Sequence, residues 1–447
     1  MSFITDKQTT DELNLLGRYQ PDSIFGLFNN THTRGGERLL EKLLKSPLTN
    51  ATLINQRTAI FQYFQKKNYS FSLNREQIGI VANWLDSGGN KTYAGSLFST
   101  LRKKTLSSLV HDEQYAAQIA GLSAAAQVLQ QLFIFLSGIV IIENHFYEEK
   151  IKSIKKILAD KNIEKLRSLA TPKKLSVKDV AFYDRLLKYT MINEINKILE
   201  FIYELDVNIT VSDVARQKRF AYAEAKSDFG NEIKIKGLKH PALNNAVGND
   251  LCLDDKHNLL FLTGANMAGK STLIKSVGIA LYMAHCGFPV AVEEMVFTAK
   301  DGLFSSINVP DNISLGYSHF YAEVLRVKRA AELVSQGRRV LVMFDELFKG
   351  TNVKDAYEGT LEVTKAFSKY TDCLFIISTH IIEVGEALKS SGNIKFGYMP
   401  TIMESNKPCY SYLLTEGITE DKQGMLIIKN EGVVELLNKN IYIDSIK

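Results

Sequence analysis

The 447-residue sequence predicts two fold classes in series. An α-helical domain over residues 21–230, preceded by an amino-terminal tail (1–20), is followed by an α/β domain with a P-loop over residues 231–447. Three observations carry this prediction. The chain is longer than one hydrophobic core holds, so two or three domains are expected. Up to about residue 230 the apolar residues recur with a helical period. Beyond it, short and nearly continuous apolar runs alternate with helical periods, the pattern of parallel strands buried on both faces.

In the first half, "GGERLLEKLLKSP" places apolar residues at i, i+1, i+4 and i+5 and is expected to stop at Pro47. "YAAQIAGLSAAAQVLQQLFIFLSGIVII", Tyr115 to Ile142, carries no charge over 28 residues, long enough to cross a bilayer as a helix. Gln118, Gln127, Gln130 and Gln131 interrupt it, so a helix buried between other helices is expected, with a membrane contact as the weaker alternative. From Lys150 to Lys178 the chain is dense in lysine. Ile151, Ile154, Ile157 and Leu158 share one helical face, leaving the lysines on the other as a solvated face or a phosphate contact. "DRLLKYTMINEINKILEFIYEL" keeps a 3.6-residue period for about six turns.

Charge separates the halves. Residues 1–230 hold 31 basic and 24 acidic residues and the remainder 23 and 25, so any polyanion contact belongs to the first half. The start, "MSFITDKQTTDEL", lacks the basic and apolar regions of a signal peptide. Cys252, Cys286, Cys373 and Cys409 lie far apart without a CxxC pair, the pattern of free thiols in a reducing cytoplasm rather than of a zinc site or disulfide framework.

The second half carries the chemistry. "NLLFLTG", "RRVLVMFDE" and "CLFIIST" read as buried strands. The first runs into Gly264-Ala265-Asn266-Met267-Ala268-Gly269-Lys270-Ser271 and then a helix, so GxxxxGK[ST] sits between strand and helix. Its glycines let backbone N–H groups curl round an anion at a helix N-terminus. Lys270 is expected on the β- and γ-phosphates of ATP, Ser271 on Mg²⁺, and Gly264, Asn266, Met267, Gly269 and Thr272 around the phosphates. At the end of the second strand, Asp345 is the candidate Mg²⁺ carboxylate and Glu346 the group that polarises the attacking water. His380, after the third strand, is placed to meet the γ-phosphate.

In this order the pieces resemble the MutS family of DNA mismatch-repair ATPases, whose ATPase domain is of the ABC class. "TGANMAGKST" resembles the family's TGxNMxGKST, "DNISLGYSHFYAEV" its signature loop, "DELFKGTN" its D-loop region and "STHIIEV" its THxxEL. "SIFGLFNNTHTRGGERLLEKLLKSPLTNATLINQRTAIFQYF" is similar to the start of its helical core/lever domain, and "ELDVNITVSDVARQKRFAYAE" to that domain's exit. "KGLKHPAL" resembles the entry to the ATPase and "YLLTEGITEDKQGMLIIKNEGV" its last strands. Departures accompany the likeness. The chain begins where the core domain begins, so the resemblance implies neither mismatch-reading nor connector domains and no direct mismatch reading. Ala246 stands where the family has an aromatic residue that stacks on adenine, and Ser318-His319 replaces a Ser-Thr pair.

The resemblance implies an ABC-type ATPase whose signature loop, with Ser314, Gly316 and Ser318, closes over the nucleotide of a second subunit. One P-loop and one signature per chain then imply a homodimer with two composite sites. It also implies a helical clamp on mismatched, duplex or branched DNA, in mismatch repair or a related DNA-maintenance process. An ABC-type ATPase whose helical half acts on a protein or membrane partner is the alternative, favoured by the uncharged Tyr115 to Ile142 segment.

Overall fold

The computed structural model describes residues 2–17, 22–110, 113–139, 145–169, 175–227, 230–265, 267–307, 319–404 and 407–419, together with 432, 433, 436 and 437. The chain forms two compact units. One comprises Met1–Leu27, Leu43–Thr58 and Val214–Lys447, the other Phe28–Lys42 and Ala59–Asp213. The division therefore differs from a single cut near residue 230. Leu43–Thr58 packs with the α/β unit, where Tyr282 Oη donates to Leu44 O at 2.8 Å and Arg57 Nη1 to Cys286 O at 2.9 Å.

The expected amino-terminal tail, residues 1–20, contains an ordered element. Residues Lys7–Glu12 form a helix whose N-cap, Asp6, accepts from Thr9 N–H, and Leu13 and Leu15 are buried. The reason is apolar burial: Leu13 packs beside Gly278, where a Cβ would stand 3.1 Å from the leucine methyls.

The α/β unit is built on a six-stranded sheet. Its order is Thr415–Glu416, Ile394–Met399, Leu259–Gly264, Leu374–Ser378, Val340–Phe344, Gly302–Ser306. The last five are parallel and the first pairs antiparallel. Every residue of Leu259–Gly264, Val340–Phe344 and Leu374–Ser378 is buried, as their unbroken apolar runs require. The register sets Leu262 beside Ser378 and Phe344 beside Ile377. Gly264, Asp345 and Thr379 thus leave the sheet at one carboxyl edge, where α/β sheets hold ligands. A second sheet, ordered Glu224–Lys226, Glu294–Thr298, Ile233–Leu238, Asn249–Leu253, leads into the loop before residue 249.

The other unit is helical, with Arg75–Asp86, Tyr93–Val110, Gln114–Ser137, His145–Leu158, Lys161–Ser168 and Val177–Arg185 as its inner elements. Gln114–Ser137 has the length and apolar content of a membrane span. It nonetheless contributes Leu122, Leu129 and Leu132 to the helical core. Its glutamines reach neighbouring helices: Gln118 Nε2 donates to Thr100 Oγ1 at 3.3 Å, Gln127 accepts from Gln77, Gln130 from Arg167, and Gln131 from Asn74 N–H at 3.0 Å. In the lysine-dense stretch Ile151, Ile154 and Leu158 are buried while Lys152, Lys155 and Lys156 are exposed. The expected continuous six-turn helix is interrupted: Val177–Arg185 passes through a π-turn at Leu186–Thr190 before Ile192–Lys218 begins. There Lys188 is buried beside Asp184 at 3.4 Å, donates to Ser87 Oγ at 2.7 Å and lies over the Trp84 ring. A wider turn brings this polar end inward while the apolar period continues on both sides.

Candidate active site

The strand Leu259–Gly264 and the helix Lys270–His285 are joined by a loop with two left-handed glycines, Gly264 (φ +136°) and Gly269 (φ +105°). A side chain at Gly264 would press on the Met399 backbone, 3.1 Å away. Met267, also at positive φ, is 80% exposed at the loop tip. Asn266 lies outside the described residues, as do Ser314, Gly316 and Ser318.

Lys270, the first residue of the helix, is buried. Its ammonium donates to Gly264 O at 2.7 Å and Ala265 O at 2.9 Å. Burial lowers its pKa, against the opposing pull of Asp345 and Glu346. Among the described residues, the hydrogen-bond partners of this buried ammonium are the two loop carbonyls.

Asp345 and Glu346 follow the buried strand Val340–Phe344. The Asp345 N–H donates to Ser306 O at 3.0 Å, and its carboxylate accepts from the Ser378 hydroxyl. Glu346 takes a left-handed conformation (φ +53°), and its N–H donates to Ser378 Oγ at 3.1 Å. Its carboxylate accepts from His380 Nε2 at 2.6 Å and faces Lys349 Nζ at 3.4 Å. The hydrogen bond from His380, opposed by burial and assisted by the charges of His380 and Lys349, holds its pKa at about 2. Ser378 therefore ties both carboxylate residues to the strand that precedes His380, a role that no motif in the sequence marks.

A cavity of about 700 Å³ opens in front of the loop. Gly269, Lys270, Ser271, Thr272 and Glu346 line it, and so do residues 243–247, which include Ala246. Asp345 and His380 are not among its lining residues; His380 reaches the site through its hydrogen bond to Glu346. Tyr412, the first residue of "YLLTEGITEDKQGMLIIKNEGV", lines it as well, and sequence reasoning does not find it. Asn249 pins the Tyr412 turn: its Nδ2 donates to Tyr412 O at 3.0 Å and its Oδ1 accepts from Leu414 N–H at 2.6 Å. No spacing rule marks an aromatic that reaches the site from 140 residues beyond the loop, after a third sheet pairing.

The sequence is similar to those of known proteins. The profile of MutS domain III matches residues 8–212 and that of MutS domain V residues 260–440. The DNA mismatch repair protein MutS of Pseudothermotoga lettingae is 27% identical over 292 residues, covering 63% of this chain and 35% of the relative. The protein of the same name from Aquifex pyrophilus is 28% identical over 258 residues (56% and 30%), and that of Geobacillus sp. 25% over 248 (54% and 28%). The chain spans about a third of the length of these curated relatives. Fold and matches together define a helical domain of the MutS core type joined to an α/β domain of the MutS ATPase type. The chain belongs to the MutS family.

Proposed function

We propose that this chain is a MutS-like ATPase in which ATP, bound between two copies, switches a helical clamp on duplex, mismatched or branched DNA in the cytoplasm. The observation that carries the proposal is the meeting of Lys270, Ser271 and Glu346 at one cavity, with Asp345 fixed by Ser378 and Ser306.

The residues present fit a nucleotide and its metal. The loop offers a buried ammonium held by two loop carbonyls among the described residues, and the helix start adds N–H groups to receive phosphate oxygens. Ser271 and Asp345 would hold Mg²⁺, which when bound neutralises phosphate charge. Glu346 polarises a water for attack on the γ-phosphate. Its low pKa keeps it ionised at neutral pH, and that water's proton passes toward its carboxylate. His380 orients the Glu346 carboxylate. Tyr412 supplies an aromatic surface for the base in a cavity where Ala246 stands at the position the family gives to an aromatic residue. Ser314, Gly316 and Ser318 of the other copy complete each site.

The reading is tested by phosphate release from Mg·ATP together with filter binding of homoduplex, mismatched and junction DNA at two salt concentrations. Turnover and salt-sensitive DNA binding are expected. No turnover removes the ATPase, and no binding at low salt removes DNA. A second reading, a helical half that grips a protein or membrane, is favoured by the helix Tyr93–Val110. It buries Ser96 and Thr100 yet leaves Phe98 71% and Leu109 80% exposed, and its only charges are Arg102, Lys103 and Lys104. Flotation with anionic vesicles separates that reading from the first.

A further inference from the structure

At the far edge of the central sheet, the strand Gly302–Ser306 is covered by the chain's own first residues. The Ile4 N–H donates to Asp301 O at 2.8 Å, and Ile4 O accepts from Leu303 N–H at 2.9 Å. Covering an exposed edge requires only such backbone bonds. The helix Lys7–Glu12 does more. Thr9 Oγ1 accepts from Ser305 N–H at 3.0 Å, and Glu12 Oε2 accepts both the Ser305 hydroxyl and, at 3.1 Å, the Ile307 N–H beyond the strand's end. Asp6 accepts from Arg326 Nη1, and Arg326 Nη2 donates to Ser305 O while its guanidinium lies 4.0 Å over the Phe304 ring. All three polar groups of Ser305 are thus held by the amino-terminal helix or by the arginine that this helix engages. The next carbonyl, that of Ser306, accepts the Asp345 N–H. One residue of main chain separates the groups gripped by Glu12 from the backbone of the catalytic carboxylate pair.

We propose that Glu12 is a positioning residue for Asp345 and Glu346, and that the amino-terminal helix is a brace setting their height at the sheet's carboxyl edge. The inference rests on the ATPase reading. None of the brace residues lines the nucleotide cavity, which lies in front of Leu259–Gly264, two strands away from Val340–Phe344 and three from Gly302–Ser306. The brace therefore acts on turnover and leaves nucleotide binding alone.

The test compares Glu12→Ala and Glu12→Gln in the full chain, measuring steady-state ATP turnover, the dissociation constant of a fluorescent ATP analogue, and the thermal midpoint. Glu12→Ala is expected to lower kcat about tenfold with KM and analogue affinity unchanged within about twofold. Glu12→Gln keeps one acceptor oxygen and is expected to recover most of the loss. Wild-type kcat in Glu12→Ala overturns the proposal. So does a fall in kcat and analogue binding together, in step with a lowered folded fraction, which is what a merely structural contact would give. A wild-type chain that binds the analogue but releases no phosphate sinks the ATPase reading itself and takes the brace with it.

Discussion

At the scale of single residues, the hydrogen bond from His380 is the largest cause lowering the Glu346 pKa. The carboxyl sits at about pKa 2 because His380 donates to it. A depressed carboxyl contributes stability above its unfolded value, near 4.3, and loses that contribution as pH falls toward about 2. Removing the donor with His380→Ala returns the group toward its ordinary range. The acid limb of the residual kcat/KM profile should then move up to about pH 4, and an unmoved limb would detach His380 from Glu346. In the helical unit Asp206 is fully buried and accepts from His32 N–H, Thr33 N–H at 2.7 Å and the Thr33 hydroxyl at 2.7 Å. Asp206→Ala strands these donors and should destabilise the unit by about 3–5 kcal/mol in denaturant titrations followed by circular dichroism. A change under about 1 kcal/mol would mean that water replaces the carboxylate.

Among elements, the strand–loop–helix around Gly269 shows why some parts are legible in sequence and others not. A buried parallel strand needs an unbroken apolar run, and "LLFLTG", "VLVMF" and "LFIIS" supply one each, so those three elements can be read directly. The glycines of the loop are equally plain. Gly269 has φ +105°, and a Cβ there would stand 3.1 Å from the Tyr412 ring. Gly269→Ala should impose roughly 1–2 kcal/mol of left-handed strain, weakening nucleotide affinity about tenfold in a fluorescent-analogue titration. Retained affinity would mean that the loop changes shape on binding.

Elements defined by distant partners stay hidden. Lys7–Glu12 is too short and polar to announce itself, and its acceptors meet donors almost 300 residues away. The π-turn at Leu186–Thr190 preserves the apolar period on either side, so nothing in the spacing betrays it. Tyr412 belongs to the same class: only folding brings it to the cavity.

For the whole molecule, one chain holds one loop with Lys270 and one segment with Ser314, Gly316 and Ser318. If the second segment serves the first loop of another copy, ATP is the adhesive of a symmetric dimer, and association becomes linked to nucleotide. On the proposed reading, the lysine-bearing face at Lys152, Lys155 and Lys156, which is exposed, is a candidate phosphate contact. The most direct measurement is sedimentation velocity of Glu346→Gln with saturating Mg·ATP, beside the same protein without nucleotide and beside Lys270→Ala. The account predicts a stable dimer only for Glu346→Gln with Mg·ATP. A monomer under that condition, with nucleotide demonstrably bound, would contradict it.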